Sequence, residues 1–191
     1  MAEISSALGT RIHVIGNSCS GKSTLAEQIG AAMDLPVVEL DGLNWLPNWV
    51  GLNATDPEAL RERIREATQG DQWVLAGSYA EYCADTCWPR LQTMIWLDMP
   101  RWRLIPRVLR RSWRRWHTQE QLWGTTNTES FFKQLMVWRG EDSLVGWIWT
   151  QAERKRRRTL AMMSDPRYAH IRFIRLTSPR DVQEFVAAVQ S

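Results

Sequence analysis

Gly16-Asn17-Ser18-Cys19-Ser20-Gly21-Lys22-Ser23 has the complete pattern G-x-x-x-x-G-K-S, the most specific signal in this sequence. The run Arg11 to Ile15, which has the composition of a β-strand, precedes it, and a helical segment from Ser23 to Met33 follows it. In this context the glycines let successive backbone N–H groups face one anion, and the helix N-terminus adds its positive dipole end. The sequence therefore predicts a loop that binds the phosphates of a nucleoside triphosphate.

Two side chains of this loop have predicted chemical roles. Lys22 reaches the β- and γ-phosphates, and the Ser23 hydroxyl ligates Mg²⁺. Cys19 is expected to contribute through its backbone alone. The predicted nucleotide-binding residues of the loop are Gly16, Asn17, Ser18, Cys19, Ser20, Gly21, Lys22, Ser23 and Thr24.

Four further β-rich runs alternate with helical stretches along the chain. They are Pro36 to Leu40, Trp73 to Ala76, Thr93 to Leu97 and His170 to Leu176. Strands that alternate with helices are typical of a parallel sheet covered by helices on both faces. We therefore predict an α/β fold with three layers, the P-loop NTPase fold, in which all five runs join one parallel sheet.

The long segment of residues 99–165 departs from this alternation. It is rich in Arg and Trp and mostly helical in pattern. We predict that it is a helical, arginine-rich lid inserted into a single domain of residues 1–191, whose core comprises residues 10–98 and 166–191. A chain of 191 residues and 22.2 kDa suits one domain of ordinary size.

Composition limits the class of the protein. The chain is 44% hydrophobic and 24% charged, which suits a globular domain with a packed core. It lacks an apolar run long enough for a membrane span, and its N-terminal stretch lacks the pattern of a secretory signal. The three cysteines, Cys19, Cys83 and Cys87, are an odd number in a chain of this size, so we expect free thiols and a cytoplasmic location.

Charge is distributed unevenly along the chain. Residues 1–100 contain 6 Lys and Arg against 13 Asp and Glu, whereas residues 101–191 contain 18 against 8. Seven arginines lie between Arg101 and Arg115 without an acid among them, and a second basic run covers residues 154–158. A polyphosphate bound between such helices would relieve the repulsion among their guanidinium groups. A solvated helix face or a nucleic-acid backbone would account for the same charge.

Three arginines of these runs are candidate ligand contacts. Arg107 and Arg111 share one helix face by their spacing, so both are candidates for contact with a bound polyphosphate. Arg154 is expected to close on the ligands from the opposite side.

Asp41 follows the second predicted strand, at the edge where ligands of open parallel sheets collect. Its carboxylate is predicted to hold Mg²⁺ or to accept a proton from an acceptor hydroxyl, and a role in the turn is the alternative. Trp45 and Trp49 come shortly after it and would wall an acceptor pocket. Tyr79, just beyond the third strand, would line the same pocket.

Three stretches around these residues resemble one bacterial group. They are Val38 to Trp49, Trp73 to Tyr79, and Ile95 to Arg101 with the arginine-rich segment that follows. Together with the phosphate loop they are similar to the adenylate kinase-related P-loop proteins called topology modulation proteins. The wider relatives of that group are nucleoside monophosphate kinases, shikimate kinase and gluconate kinase. The resemblance covers roughly residues 11–185 and implies a sheet in the strand order 2-3-1-4-5 with a mobile lid.

The resemblance also implies roles for single residues. Lys22 and Ser23 take the phosphate and Mg²⁺ roles, and Asp41 falls where shikimate kinase-like enzymes place an acid near Mg²⁺ and the acceptor. Arg107 and Arg111 have the spacing of lid-edge arginines, one beside the base and one on the phosphates. Ser178 and Pro179, after Thr177, lie where such folds contact adenine. The sequence departs from the group at Ala76, where an Asp often precedes Gly77.

These expectations combine into a predicted function. The protein transfers the γ-phosphoryl group of ATP, with Mg²⁺, to a hydroxyl or phosphate of a small-molecule acceptor. The predicted catalytic residues are Lys22, Asp41, Arg107 and Arg111, and the predicted acceptor-binding residues are Asp41, Trp45, Trp49, Tyr79 and Arg154. Two alternatives stay open: a regulatory NTPase that binds or slowly hydrolyses nucleotide, and a nucleotide-dependent protein associated with DNA or RNA.

Overall fold

The structure, a computed structural model, describes residues 7–129, 131 and 144–190. Its strands are β1 (Arg11–Gly16), β2 (Val37–Glu39), β3 (Trp45–Leu46), β4 (Val50–Gly51), β5 (Trp73–Ala76), β6 (Thr93–Leu97) and β7 (Arg172–Leu176). Its helices are α1 (Lys22–Met33), α2 (Leu40–Asn44), α3 (Leu52–Thr55), α4 (Pro57–Ala67), α5 (Ala80–Cys83), α6 (Arg101–Thr118), α7 (Leu144–Met163) and α8 (Pro179–Gln190). Short 3₁₀ turns lie at Pro47–Trp49, Trp88–Arg90 and Pro166–Tyr168.

Five strands form one parallel sheet in the order β2-β5-β1-β6-β7. The two-residue strands β3 and β4 pair with each other in a separate antiparallel ribbon. Counted in chain order without this ribbon, the strands of the main sheet have the order 2-3-1-4-5, so the predicted α/β fold and its topology are confirmed. The boundaries shift by a few residues: the second strand ends at Glu39 because α2 begins at Leu40, and the fifth strand begins at Arg172.

The central strands of the sheet, β5, β1 and β6, are buried on both faces, whereas the edge strands β2 and β7 are partly exposed. On one face the residues of β1 and β6 pack against Leu25 and Ile29 of α1 and Val189 of α8. On the other face β5 and β6 pack against Leu60 and Ile64 of α4 and a set of buried aromatic rings. Helices on both faces of the sheet give the three predicted layers.

Helices α1 and α4 differ at their N-termini. At the start of α4, Asp56 accepts a hydrogen bond from the Ala59 N–H at 3.1 Å, and Pro57 occupies the first helical position. At the start of α1, Gly21 supplies no side-chain cap. The first N–H groups of α1 are therefore left for another partner.

The predicted lid is described in part. Helices α6 and α7 pack against each other, whereas residues 130 and 132–143 lie outside the described residues. The division into a core and a lid stays a prediction. None of the helices in the described ranges combines the length and the apolar character that crossing a membrane requires.

Candidate functional site

The phosphate loop curls as its glycines predict. Gly16 has a φ of 154°, and a Cβ added there would lie 2.8 Å from the backbone oxygen of Leu97, so only glycine fits. Cys19 adopts a left-handed φ of 59°. Within the curl the Ser20 N–H donates to the Asn17 oxygen at 3.2 Å, and Lys22 Nζ donates to that same oxygen at 3.0 Å. The loop is thus closed on itself, with the uncapped start of α1 behind it.

Several polar atoms around this loop are buried without a hydrogen-bond partner among the described residues. They include Asn17 Oδ1, Ser20 Oγ, Glu39 Oε1 and Arg111 Nε. Buried polar groups normally have partners, so a group of orphans at one place requires an explanation. A bound anion would accept a hydrogen bond from Arg111 Nε, and a bound cation would be a partner for Glu39 Oε1.

A cavity of about 1330 Å³ opens in front of the loop. This volume exceeds the roughly 300–1,000 Å³ of an ordinary ligand pocket, so there is room for more than one small ligand. Its wall is formed by residues of the loop, by Trp45 and Trp49, by helix α6 and by the segment 120–129. The predicted site residues that line it are Ser18, Cys19, Gly21, Lys22, Ser23, Thr24, Asp41, Trp45, Trp49, Tyr79, Arg107 and Arg111.

Cations gather at the loop end of the cavity. Burial lowers the pKa of Lys22, while the nearby Asp41 carboxylate opposes that shift. Burial, with help from the positive charge of Lys22, lowers the pKa of Lys155 to about 8. Arg107 and Arg111 line the same cavity from α6. A group of cations along one cavity wall, two of them desolvated lysines, has the charge that suits a polyanion.

Arg115, one turn further along α6, is neutralised within the protein. Its Nη1 lies 3.1 Å from Glu129 Oε2, and its Nε lies 3.5 Å from Glu120 Oε1. Glu129 is buried and also accepts a hydrogen bond from the Ser112 hydroxyl. These contacts tie the segment 120–129 back onto α6.

Two carboxylates lie beside the loop. The Tyr79 hydroxyl donates to Asp41 Oδ1 at 2.9 Å. Burial and the adjacent Asp41 charge raise the pKa of Tyr79, so Tyr79 stays a hydrogen-bond donor. Glu39 lines the cavity beside Ser23; burial raises the pKa of Glu39, and the Ser23 hydroxyl opposes that shift. Glu39 was not predicted from the sequence, although its place at the end of β2, two residues before Asp41, was the signal that could have identified it.

Three indole rings form the opposite end of the cavity, which we call the tryptophan end (Trp45, Trp49 and Trp123). The Trp45 and Trp123 rings are nearly parallel, at 16°, with centroids 6.5 Å apart. Trp49 is edge-on to both, with centroid distances of 5.5 and 5.9 Å. Trp123 was not predicted as a site residue, because it lies 74 positions after Trp49 within the segment assigned to the lid.

Asn127 holds the tryptophan end together. Its Oδ1 accepts from the Trp49 N–H at 2.9 Å, and its Nδ2 donates to the Leu46 oxygen at 2.8 Å. The side chain is buried and fixes the segment around Trp123 onto the β3–β4 ribbon. Trp49 and Trp123 both have left-handed φ values, 57° and 52°, which bulky residues adopt only when surrounding contacts impose them.

Some predicted site residues lie elsewhere. Arg154 is exposed and is not part of the cavity wall; its neighbour Lys155 lines the cavity instead, because successive helical residues point about 100° apart. Ser178 and Pro179 lie at the β7–α8 junction. The Ser178 hydroxyl accepts a hydrogen bond from the Asp181 N–H at 3.2 Å, so it caps α8, and it donates to Asp181 Oδ1 at 2.6 Å. Ala76 is fully buried in β5.

Of the three loop residues that do not line the large cavity, Ser20 is buried and the other two adjoin a second, smaller cavity. Gly16 and Asn17 line this space of about 90 Å³, next to α7. Asp98 also lines it and pairs with Arg175 at 2.5 Å and with Arg156 at 3.2 Å. Asp98 is therefore an ion-pair residue that joins β6, β7 and α7.

Comparison with known proteins defines the class of fold. No protein-family model matches this sequence, and no curated protein matches it. Among solved structures, a shikimate kinase from Bacteroides thetaiotaomicron is 16% identical, with 95% of this chain and 96% of that chain covered and a TM-score of 0.55. A sugar kinase from Janibacter sp. HTCC2649 is 15% identical, with 94% and 91% covered and a TM-score of 0.51. A gluconokinase from Sinorhizobium meliloti 1021 is 18% identical, with 96% and 94% covered and a TM-score of 0.49.

The chain accordingly has the fold of the P-loop small-molecule kinases. The narrower resemblance to topology modulation proteins stays a prediction. At such identities a shared fold does not define the reaction, so the function has to be argued from the cavity itself.

Proposed function

We propose that this protein is an ATP-dependent phosphotransferase that acts on a small-molecule acceptor. One observation supports the proposal most directly: a single cavity is continuous from the phosphate loop to Asp41, just after β2, and then to the indole rings of the tryptophan end. Behind the loop, the start of α1 has no side-chain cap. A nucleotide-binding protein without an acceptor would need only the loop end of this cavity. The volume of about 1330 Å³ accommodates a triphosphate and a second molecule.

The phosphate loop and the cations beside it would bind the triphosphate. Loop N–H groups and Lys22 would contact the β- and γ-phosphates. Arg111 Nε, which is buried without a partner among the described residues, would donate to a phosphate oxygen, and Arg107 reaches the same cavity one turn earlier. These cations repel one another in the absence of nucleotide. The negative charge of a bound triphosphate would relieve that repulsion without any rearrangement of the site.

The residues beside the loop also suit Mg²⁺. Three side chains that line the cavity have hard oxygen ligands: Ser23, Glu39 and Asp41. Of these, Glu39 Oε1 is buried without a hydrogen-bond partner among the described residues. Mg²⁺ usually takes one or two protein oxygens together with substrate phosphates, so a larger cluster is not required. When bound, the ion would neutralise phosphate charge.

The transfer itself would use Asp41. The acceptor oxygen forms a bond to the γ-phosphorus while the bond from that phosphorus to the β,γ-bridging oxygen breaks, and ADP leaves. Asp41 accepts the proton of the acceptor hydroxyl. The hydrogen bond from Tyr79 at 2.9 Å holds the Asp41 carboxylate in position for this step. Catalysis then consists of positioning and charge stabilisation.

The test is acceptor-stimulated ADP formation with ATP and Mg²⁺, measured for the unaltered protein and for Lys22→Ala. We expect stimulation by at least one acceptor and a loss of about 10²–10³-fold in Lys22→Ala. Arg110→Ala, at an exposed position of α6, is the matched control and should retain turnover. ATP consumption that no acceptor accelerates would instead indicate a regulatory NTPase. Stimulated turnover that persists in Lys22→Ala would remove the loop from the mechanism.

A further inference from the structure

We infer that the acceptor is a hydroxyl-bearing ring compound without an anionic group, chemically a sugar-like polyol that is uncharged or carries an amine. This inference rests on the proposed function and names the substrate class of the same site. Two observations support it: the arrangement of the indole rings at the tryptophan end, and the positions of the charged side chains that line the cavity.

The tryptophan end lies directly beside the proposed proton acceptor. The Trp45 side chain approaches the oxygen of Tyr79, and that hydroxyl is bonded to Asp41. On the other side Trp123 packs over Gly42, where an added Cβ would lie 3.5 Å from the indole Cδ1. A molecule that presents a hydroxyl to Asp41 would therefore also contact the indoles.

Indole rings select for particular chemical groups. The face of an aromatic ring carries negative potential and attracts polarised C–H groups and ammonium groups, whereas an anion gains nothing there. The nearly parallel Trp45 and Trp123 with edge-on Trp49 form a rigid aromatic wall. Trp49 is 40% exposed, so its ring is accessible to a ligand in the cavity.

The polar residues that complete this wall are mostly neutral. Asn48, Asn53, Gln121 and Thr128 line the cavity and both donate and accept hydrogen bonds, which suits hydroxyl groups. Such residues give an uncharged polyol many possible partners.

Three of the cations that the described residues bring to the cavity lie close to the phosphate loop. Lys22 and Arg111 are near enough to Cys19 to influence its pKa, and Lys155 is influenced in the same way by Lys22. The proposed function assigns these charges to the triphosphate. Arg115 is paired with Glu129 and Glu120. A carboxylate or phosphate on the acceptor would instead approach the negative charge of Asp41 and the negative faces of the indoles. An uncharged or amine-bearing ring meets no such repulsion.

The first experiment compares acceptors that differ mainly in charge. ADP formation and the phosphorylated product are measured with glucose, myo-inositol, glucosamine, glucuronate, glucose 6-phosphate and AMP, and binding is followed by quenching of indole fluorescence. We expect neutral or amine-bearing rings to be phosphorylated and the three anionic compounds to be at least about tenfold less effective. Preferential phosphorylation of an anionic compound would overturn this inference and leave the proposed function standing.

The remaining outcomes separate the two proposals. If neutral or amine-bearing rings quench the fluorescence but no compound accelerates ADP formation, the proposed function is wrong and the ligand class is right. If no ring compound binds and none is phosphorylated, both are wrong.

The second experiment tests the tryptophan end itself. Trp123→Ala should raise the KM for the acceptor about tenfold or more and leave the affinity for a non-hydrolysable ATP analogue within about twofold. Trp113→Ala, which removes a half-exposed indole of α6 outside the cavity, is the matched control and should change neither quantity. Trp49→Ala provides a second variant should Trp123→Ala fail to fold. An unchanged acceptor KM in both variants, or an equal loss of ATP affinity, would contradict the inference.

Discussion

The two ends of the cavity are built in different ways. The centre of the phosphate end is a run of consecutive residues, 16–24, with backbone N–H groups that any glycine-rich curl before a helix would present. The tryptophan end combines two separate parts of the chain, the ribbon that carries Trp45 and Trp49 and the segment that carries Trp123, and Asn127 joins them. Under the proposed function, a site made of local backbone would suit nucleotides in general, whereas a site made of distant side chains would select among acceptors.

The two ends also differ in how complete they are without ligands. At the phosphate end Lys22 and Lys155 have lowered pKa values, and Arg111 Nε is buried without a partner among the described residues. At the tryptophan end the Trp49 N–H and the Leu46 oxygen are satisfied by Asn127. Nucleotide binding should therefore stabilise the protein far more than acceptor binding does.

Among the substitutions that separate the two ends, Arg111→Ala should change ligand affinity most. The substitution removes a charge-assisted hydrogen bond to phosphate, which typically contributes about 1.5–3 kcal/mol, so affinity for an ATP analogue should fall about 10–100-fold. The free energy of unfolding should stay the same or rise, because one member of a crowded cation group is lost. Calorimetric titration and denaturant unfolding measure the two quantities.

Arg110→Ala is the matched control for this prediction. Arg110 is exposed and precedes Arg111 in α6, so it points to another side of the helix. We expect its loss to leave affinity for the analogue within about twofold. Equal losses for both variants would mean that the basic helix acts through its overall charge, as a nucleic-acid surface would.

The second prediction concerns the other end. Asn127→Ala removes two hydrogen bonds of a buried side chain, so the free energy of unfolding should fall by about 2 kcal/mol. The KM for the acceptor should rise while affinity for the ATP analogue is kept, because the loop does not contact Asn127. Thr126→Ala, at the exposed neighbouring position, should change neither quantity. A parallel loss of nucleotide affinity would show that the two ends are not separable.

The same contrast explains what the sequence could and could not predict. The phosphate loop and the five strands of the main sheet depend on local patterns, the glycine spacing and the β-rich runs, and both were predicted. The strand order was an expectation from the family resemblance, and the structure has that order. The positions of Arg107 and Arg111 on one cavity wall were expected because helical spacing places them on one face.

The residues that were missed depend on tertiary contacts. Trp123 and Asn127 reach the cavity because a segment after α6 folds back onto a ribbon about 80 residues earlier in the chain, as the bond between Asn127 and Leu46 shows. Lys155 was missed in favour of Arg154 because a run of five consecutive basic residues does not reveal which of them faces inward. The orientation of α7 against α6 decides that choice, and no local pattern encodes it.

The third prediction uses the pKa of Lys155, which burial and Lys22 lower to about 8. Below this pH Lys155 carries a positive charge, so affinity for an ATP analogue should decline by up to about tenfold as the pH rises through about 8. Folding has the opposite dependence: between about 8 and the ordinary value of 10.5 the unfolded chain binds more protons, so this residue makes stability increase with pH.

Two variants check the assignment to Lys155. Lys155→Arg keeps its charge at all these pH values and should remove the decline in affinity. Arg154→Lys, at the exposed neighbouring position, should leave the decline as it is. A decline that persists unchanged in Lys155→Arg would assign the titration to another group.

Tyr79→Phe should have the weakest effect, a small loss of kcat. Tyr79 lies where the phosphate end and the tryptophan end meet. The substitution keeps the ring and removes only the hydroxyl that donates to Asp41 at 2.9 Å. Loss of one such hydrogen bond should lower kcat about threefold, because Asp41 is held less firmly, while the KM for ATP stays within about twofold. Tyr168→Phe, whose ring packs against Trp88 away from the cavity, is the control and should retain full kcat. If Tyr79→Phe instead raised the KM for the acceptor alone, the hydroxyl would belong to acceptor binding and the positioning of Asp41 would depend on other contacts.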